Sequence, residues 1–162
     1  MPFKKLDIAN ILNLGIAYHN SGNLDKAAIQ YKKVLKVNRN NPDALNLLGV
    51  ATLQLGNTKK ATTLIAKAVK YDPKNSGYLN NLGQALSKQE NFQKAILYYK
   101  KAINIAPNDA NILNNLGLSL TSLRLFEDAK KAYHRALTIR DDDFEIFHNY
   151  GVLLQEMGDL KP

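Results

Sequence analysis

Apolar and small side chains recur along this chain at a fixed interval. The pairs Leu14-Gly15, Leu48-Gly49, Leu82-Gly83 and Leu116-Gly117 stand thirty-four residues apart, and Tyr150-Gly151 falls on the same grid without insertion or deletion. Ala27, Ala61, Ala95 and Ala129 follow these glycines by twelve residues, and Val34, Ala68, Ala102 and Ala136 by nineteen. A constant period of this length marks stacked supersecondary units. Glycine inside a helix costs about 1 kcal/mol relative to alanine, so its return at one position needs a packing reason. The expectation is that the Gly and the first Ala mark where two antiparallel helices of a unit touch, and the second Ala the contact with the next unit.

Within each period the apolar spacing predicts two helices. They fall at 9–21 and 25–38, 43–55 and 59–71, 77–89 and 93–105, 111–123 and 127–140, with a ninth at 144–157. Gly22-Asn23 and Gly56-Asn57 supply turns between paired helices. Asn41-Pro42-Asp43 offers a cap, a proline suited to the first helical position, and an acid for the positive end of the helix dipole. Asp72-Pro73 ends a helix because proline cannot continue one. The third turn has Glu90-Asn91 and the fourth Arg124-Leu125, so the third must place a less permissive residue than glycine in the left-handed cap. Asp143 is expected to cap the last helix, and Phe147, Tyr150, Leu153 and Leu154 to cover the fourth unit.

The Leu79, Leu82, Gly83, Leu86, Ala95, Tyr99, Ala102 and Pro107 pattern resembles the tetratricopeptide repeat, and the match runs from about residue 8 to 160. Thr52 and Ile65 stand at the usual aromatic sites of the second unit, and Arg39 and Asp141 replace the closing proline of the first and fourth. The resemblance implies an all-α fold, a right-handed α-solenoid of helix-turn-helix repeats. It would form a single domain over 1–162, with units at 8–41, 42–75, 76–109 and 110–143 and a partial unit or capping helix at 144–160. The last unit stops before a second helix, as expected of a piece of a longer protein that carries other signals or a catalytic domain.

A solenoid buries surface between neighbours instead of around one core, so its stability is expected to be roughly additive. Absence of cysteine excludes disulfides and thiolate zinc sites. The first residues lack an apolar signal segment and no run approaches the eighteen apolar residues of a membrane helix, which reads as a cytoplasmic protein without membrane insertion. Phosphate-binding glycine loops, Ser or Cys nucleophiles beside a His, and histidines one turn apart are all missing. His19, His134 and His148 lie in different units and do not converge. The expectation is therefore a non-enzymatic chain with no cofactor and no metal.

The family resemblance implies that the first helix of each unit lines a concave face. The inward positions bring together Asn13, Asn46, Leu47, Asn80, Asn81, Gln84, Asn111, Asn114, Asn115, His148 and Asn149, a surface rich in amides and poor in charge. Asn13, Asn81, Asn115 and Asn149 share one unit position, with Leu47 interrupting the row. A carboxamide both accepts and donates, so such a ladder can pair with the backbone of an extended peptide while pockets around Leu12, Leu47, Val50 and Leu118 read side chains. The row is similar to the inner-face ladder of the O-linked N-acetylglucosamine transferases. A second reading is that the amides bond neighbouring helices. The carboxylate clamp of chaperone-tail-binding members is rejected, because its Lys and Arg positions are occupied here by residues such as Leu12, Gly77, Asn46, Asn111, Asn115 and Glu145.

Charge refines the partner expectation. Residues 1–140 carry 21 basic and 8 acidic groups and residues 141–162 carry 1 and 6, so the chain is polarised end to end. Most lysines fall on second helices, a solvated outer face. Nucleic acid is disfavoured as a partner because arginine is scarce and no aromatics interleave for base stacking. Head-to-tail association of the acidic last unit with the basic first unit of another copy is the other expectation, and makes the partners a protein or peptide ligand or a homo-oligomer through terminal units.

Overall fold

The computed structural model describes residues 5–158; the outer ends of the expected 1–162 domain and of the 144–160 partial unit lie outside the described residues. Those residues form nine helices and no strand: α1 Lys5–Asn20, α2 Leu24–Val37, α3 Pro42–Gln54, α4 Thr58–Tyr71, α5 Ser76–Ser87, α6 Phe92–Ile105, α7 Ala110–Ser122, α8 Phe126–Ile139 and α9 Phe144–Gly158. All nine expected helices form. The first already includes Lys5, the first described residue, and so covers at least four residues ahead of the apolar pattern.

Side-chain caps fix where the first helix of each later unit starts. Asn41 accepts from the Ala44 backbone N–H at 2.8 Å with Pro42 opening α3 behind it. Asn75, Asp109 and Asp143 perform the same task for α5, α7 and α9. Gly22 and Gly56 take φ of 75° and 85° in the first two turns, and Glu90 and Arg124 are forced to φ of 59° and 57° in the next two. The less permissive residues thus adopt the left-handed conformation that the repeat geometry demands.

Consecutive helices pack as antiparallel pairs, and each pair stacks on the next. The backbones of successive first helices, α1, α3, α5, α7 and α9, approach within 8 Å between Cα atoms, whereas among the described residues no two second helices come that close. Closer spacing on one layer than the other bends the stack, so the first helices form the inner side. The architecture is an all-α solenoid.

The expected contact of the glycine with the second helix forms, and the nearest group there is a large side chain, with the Ala61 backbone oxygen also 3.3 Å from a Cβ placed on Gly49. A Cβ on Gly15, Gly83 or Gly117 would lie 2.5, 2.4 or 2.7 Å from the ring of Tyr31, Tyr99 or Tyr133, and one on Gly49 would lie 2.4 Å from the Ile65 side chain. Each of those side chains is sixteen residues ahead on the second helix and is essentially fully buried. The missing side chain makes room for a ring, while the flanking alanines are buried close by. Ile65 fills the same slot without a ring, so the departure of the second unit is a change of filler within one design.

In α9, Ile146 and Leu153 are buried against the fourth unit, and Tyr150 sets its ring 5.9 Å from that of Tyr133. Phe147 and Leu154 do not share in this cover: they remain 50% and 44% exposed. Their counterparts one unit earlier, Leu113 and Leu120, are buried, because α8 of the same unit lies over them. Among the described residues no helix follows α9 to do so.

Candidate peptide-binding groove

The inner layer brings the sequence-predicted amides into one connected row, and their hydrogen bonds follow a single rule. Asn81 donates from Nδ2 to Asn46 Oδ1 at 3.0 Å, Asn115 to Asn80 Oδ1 at 3.0 Å, and Asn149 to Asn114 Oδ1 at 3.1 Å. Every rung therefore reaches back thirty-five residues to the preceding unit. Asn46 and Asn114 are buried at the seam and serve as acceptors there, so they do not stand open on the inner surface as the inward pattern suggested. Asn80, Asn81, Asn115 and Asn149 are half-buried, and Asn13 is exposed.

Each rung spends one N–H on this stitch. The Oδ1 atoms of Asn81, Asn115 and Asn149 have no protein partner among the described residues, and each Nδ2 keeps a second hydrogen. A carboxamide held on one side and open on the other is preoriented for a guest backbone, which lowers the ordering cost of binding. The remaining predicted residues diverge. Asn111 accepts from Arg140 at the unit border, exposed His148 stacks on Phe144 with ring centroids 6.3 Å apart, and half-buried Leu47 packs against the first-unit core.

Between the second, third and fourth units the inner face deepens into a cavity of about 710 Å³. Leu53, Phe92 and Leu118 give apolar walls, Gln54, Gln84 and Asn115 supply amides, and Lys88 is the one charged residue lining it. At its base Ser87 and Ser119 pair their hydroxyls at 2.9 Å, and Ser87 lies 3.4 Å from the hydroxyl of Tyr99. Burial pushes the Tyr99 phenol up to about 12, so it stays protonated at neutral pH. Leu53, Phe92, Tyr99 and Ser119 join the inward residues already expected. Ser119 carries a readable signal, since it stands where the two preceding units have the buried Ala51 and Ala85.

Electrostatics elsewhere is simple. Lys26, Lys32, Lys33, Lys36, Lys60, Lys67, Lys70, Lys94, Lys100 and Lys101 are all exposed on α2, α4 and α6. Tyr78 donates its hydroxyl to Asp43 across the seam between units two and three, and its burial together with that carboxylate raises its pKa. No cluster of three potential metal ligands occurs among the described residues, and no described helix is long and apolar enough to cross a membrane.

Stacked helical hairpins with an open, amide-lined inner face define a repeat scaffold of the protein-interaction class. Models of the tetratricopeptide repeat match residues 42–75, 78–109 and 110–140, and one described as TPR repeat matches 15–56. The chain belongs to the tetratricopeptide-repeat family. No curated protein sequence matches it. Among solved structures it is similar to MamA, with 27% identity and a TM-score of 0.79 over 89% of this chain and 84% of that one. A thermophilic tetratricopeptide-repeat protein of Thermus thermophilus shows 25% identity and a TM-score of 0.81, covering 93% of this chain and 83% of its own. PilF of Pseudomonas aeruginosa, at 23% identity and a TM-score of 0.85 over 94% and 69% of the two chains, shares the fold.

Proposed function

We propose that the inner face binds an extended segment of a partner protein, with Asn81, Asn115 and Asn149 pairing to its backbone and the 710 Å³ cavity receiving its side chains. The observation that carries this reading is the half-used carboxamide: each rung is anchored by one N–H and keeps a carbonyl and a second N–H without a protein partner among the described residues. Asn115 belongs to both the ladder and the cavity, so backbone pairing and side-chain capture would occur on one ligand. Backbone pairing gives affinity with little regard to sequence, and the cavity gives selectivity. The protein acts as a non-catalytic scaffold.

The test separates the rung from the stitch. For a peptide selected against the intact chain, Asn81→Ala and Asn115→Ala should each weaken affinity about fivefold, near 1 kcal/mol for a lost hydrogen bond. Asn80→Ala removes the acceptor of Asn115 but leaves that rung in place, and should weaken binding less. Equal losses from Asn80→Ala and Asn115→Ala, measured by titration calorimetry with helical content unchanged, would assign the amides to stacking alone.

A further inference from the structure

The floor of the inner-face cavity departs from the repeat in a way that points to one kind of guest side chain. Ser119 is 2% exposed and stands where the second and third units bury Ala51 and Ala85, and a buried hydroxyl costs free energy unless it is hydrogen-bonded. Thr52, Thr121 and Ser122 return their hydroxyls to the carbonyl four residues back, the common local bond of such residues in helices. Ser87 and Ser119 are paired differently. They bond each other across the seam between α5 and α7 at 2.9 Å, and Ser87 also lies 3.4 Å from the Tyr99 hydroxyl. Three hydroxyls thus share two contacts. Each has one hydrogen and two lone pairs, so whichever way the chain of bonds runs, one O–H hydrogen and several lone pairs are left over at the cavity floor.

The rest of the lining sets the shape of the guest. Leu53, Phe92 and Leu118 wall a space of about 710 Å³, so the part of the guest that passes them is apolar. The hydroxyls of the floor are neutral, and Lys88, the one charged lining residue, is exposed; an ionised carboxylate at the floor would lose its water for neutral donors alone. A phenylalanine side chain would leave the spare hydrogen unpaired, and an indole, which only donates, cannot accept it. A phenol has a flat apolar body and a hydroxyl that both accepts and donates. We infer that the cavity is a tyrosine pocket: the partner segment lays a Tyr side chain between Leu53, Phe92 and Leu118, with its hydroxyl on the Ser87–Ser119 pair. This rests on the reading of the inner face as a peptide groove and adds which side chain the partner carries there.

The probe is p-cresol, the tyrosine side chain without its backbone, titrated into the full chain and followed by the backbone amide resonances of Ser87, Leu118 and Ser119. Saturable shifts in the millimolar range are expected of so small a ligand. Toluene, which has the same shape without the hydroxyl, should bind about fivefold more weakly for want of one hydrogen bond. Ser87→Ala combined with Ser119→Ala, the second of which copies Ala51 and Ala85, should bring p-cresol down to the level of toluene. Absence of saturable shifts, equal binding of toluene, tighter binding of methylindole or propionate, or a preference for p-cresol that survives the double substitution overturns the proposal. The comparison among these ligands uses the unaltered chain, so it decides the matter even if the double variant does not fold. Because p-cresol has no peptide group to pair with the ladder, its failure and a failure of the amide reading are separate results.

Discussion

The third unit and the terminal helix read almost alike in sequence and differ in what surrounds them. α5 and α9 both carry an apolar residue, a carboxamide rung and a glycine at matched positions, yet Gly83 is pressed by Tyr99 and Gly151 faces open space. The same letters thus have opposite energetic consequences, because a repeat's side chains are chosen for neighbours that only the interior units possess. Periodicity identifies the position, and the neighbouring helix decides what that position is worth.

The largest test of this contrast uses one unit position in two surroundings. Leu113→Ala, at 2% exposure, should lower stability by about 3 kcal/mol through lost burial and a residual cavity, whereas Phe147→Ala, at 50% exposure, should cost below about 1 kcal/mol. Chemical denaturation of both variants checks this, and equal losses would mean that α9 is covered in solution. The next test inverts a sign. Gly83→Ala drives a methyl group into the fully buried Tyr99 ring and should destabilise by about 2 kcal/mol, while Gly151→Ala should stabilise by about 0.5 to 1 kcal/mol from helix propensity alone. Thermal melts of the pair distinguish the two environments directly.

A smaller effect comes from the buried phenols of the interior. Burial pushes both Tyr99 and Tyr133 up to about 12 from 10, so each favours the protonated form more in the folded chain than in the unfolded one. The stability this represents is intact below pH 10 and is lost as pH rises from 10 toward 12, at about 1 kcal/mol per ring by pH 11. Tyr99→Phe or Tyr133→Phe should flatten that alkaline loss, measured by urea denaturation at pH 9 and 11. At neutral pH the two should separate as well. The Tyr133 hydroxyl is buried without a hydrogen-bond partner among the described residues, so its removal should be close to neutral. The Tyr99 hydroxyl lies against Ser87, and its loss should cost up to about 1 kcal/mol.

Most of the fold was legible because the period sets several positions at once: helix ends at Asn41 and Asp143, the left-handed turn at Glu90, and the Leu-Gly register all recur on one grid. Within the candidate site, the row of Asn81, Asn115 and Asn149 was legible for the same reason. Their partners were not. That Asn115 bonds Asn80 and not its neighbour Asn114 depends on how far one hairpin rotates over the last, a quantity that pattern alone does not contain. The exposed state of Phe147 and Leu154 was missed because apolar spacing predicts a buried stripe whether or not a second helix arrives to bury it. The pairing of Ser87 with Ser119 across two units was hidden by its non-repeating character.

Leu47 gives one seam of the stack a different chemistry. It stands where the second unit would need a carboxamide, and Leu12 stands where the first unit would need the acceptor, so the inner seam between the first two hairpins has no Asn-to-Asn link while the next three each have one. That seam is held instead by apolar contact, with Leu12 and Leu47 both packed against the cluster that contains Tyr31 and Leu48, so its cohesion should fade on cooling more than that of the three amide-linked seams.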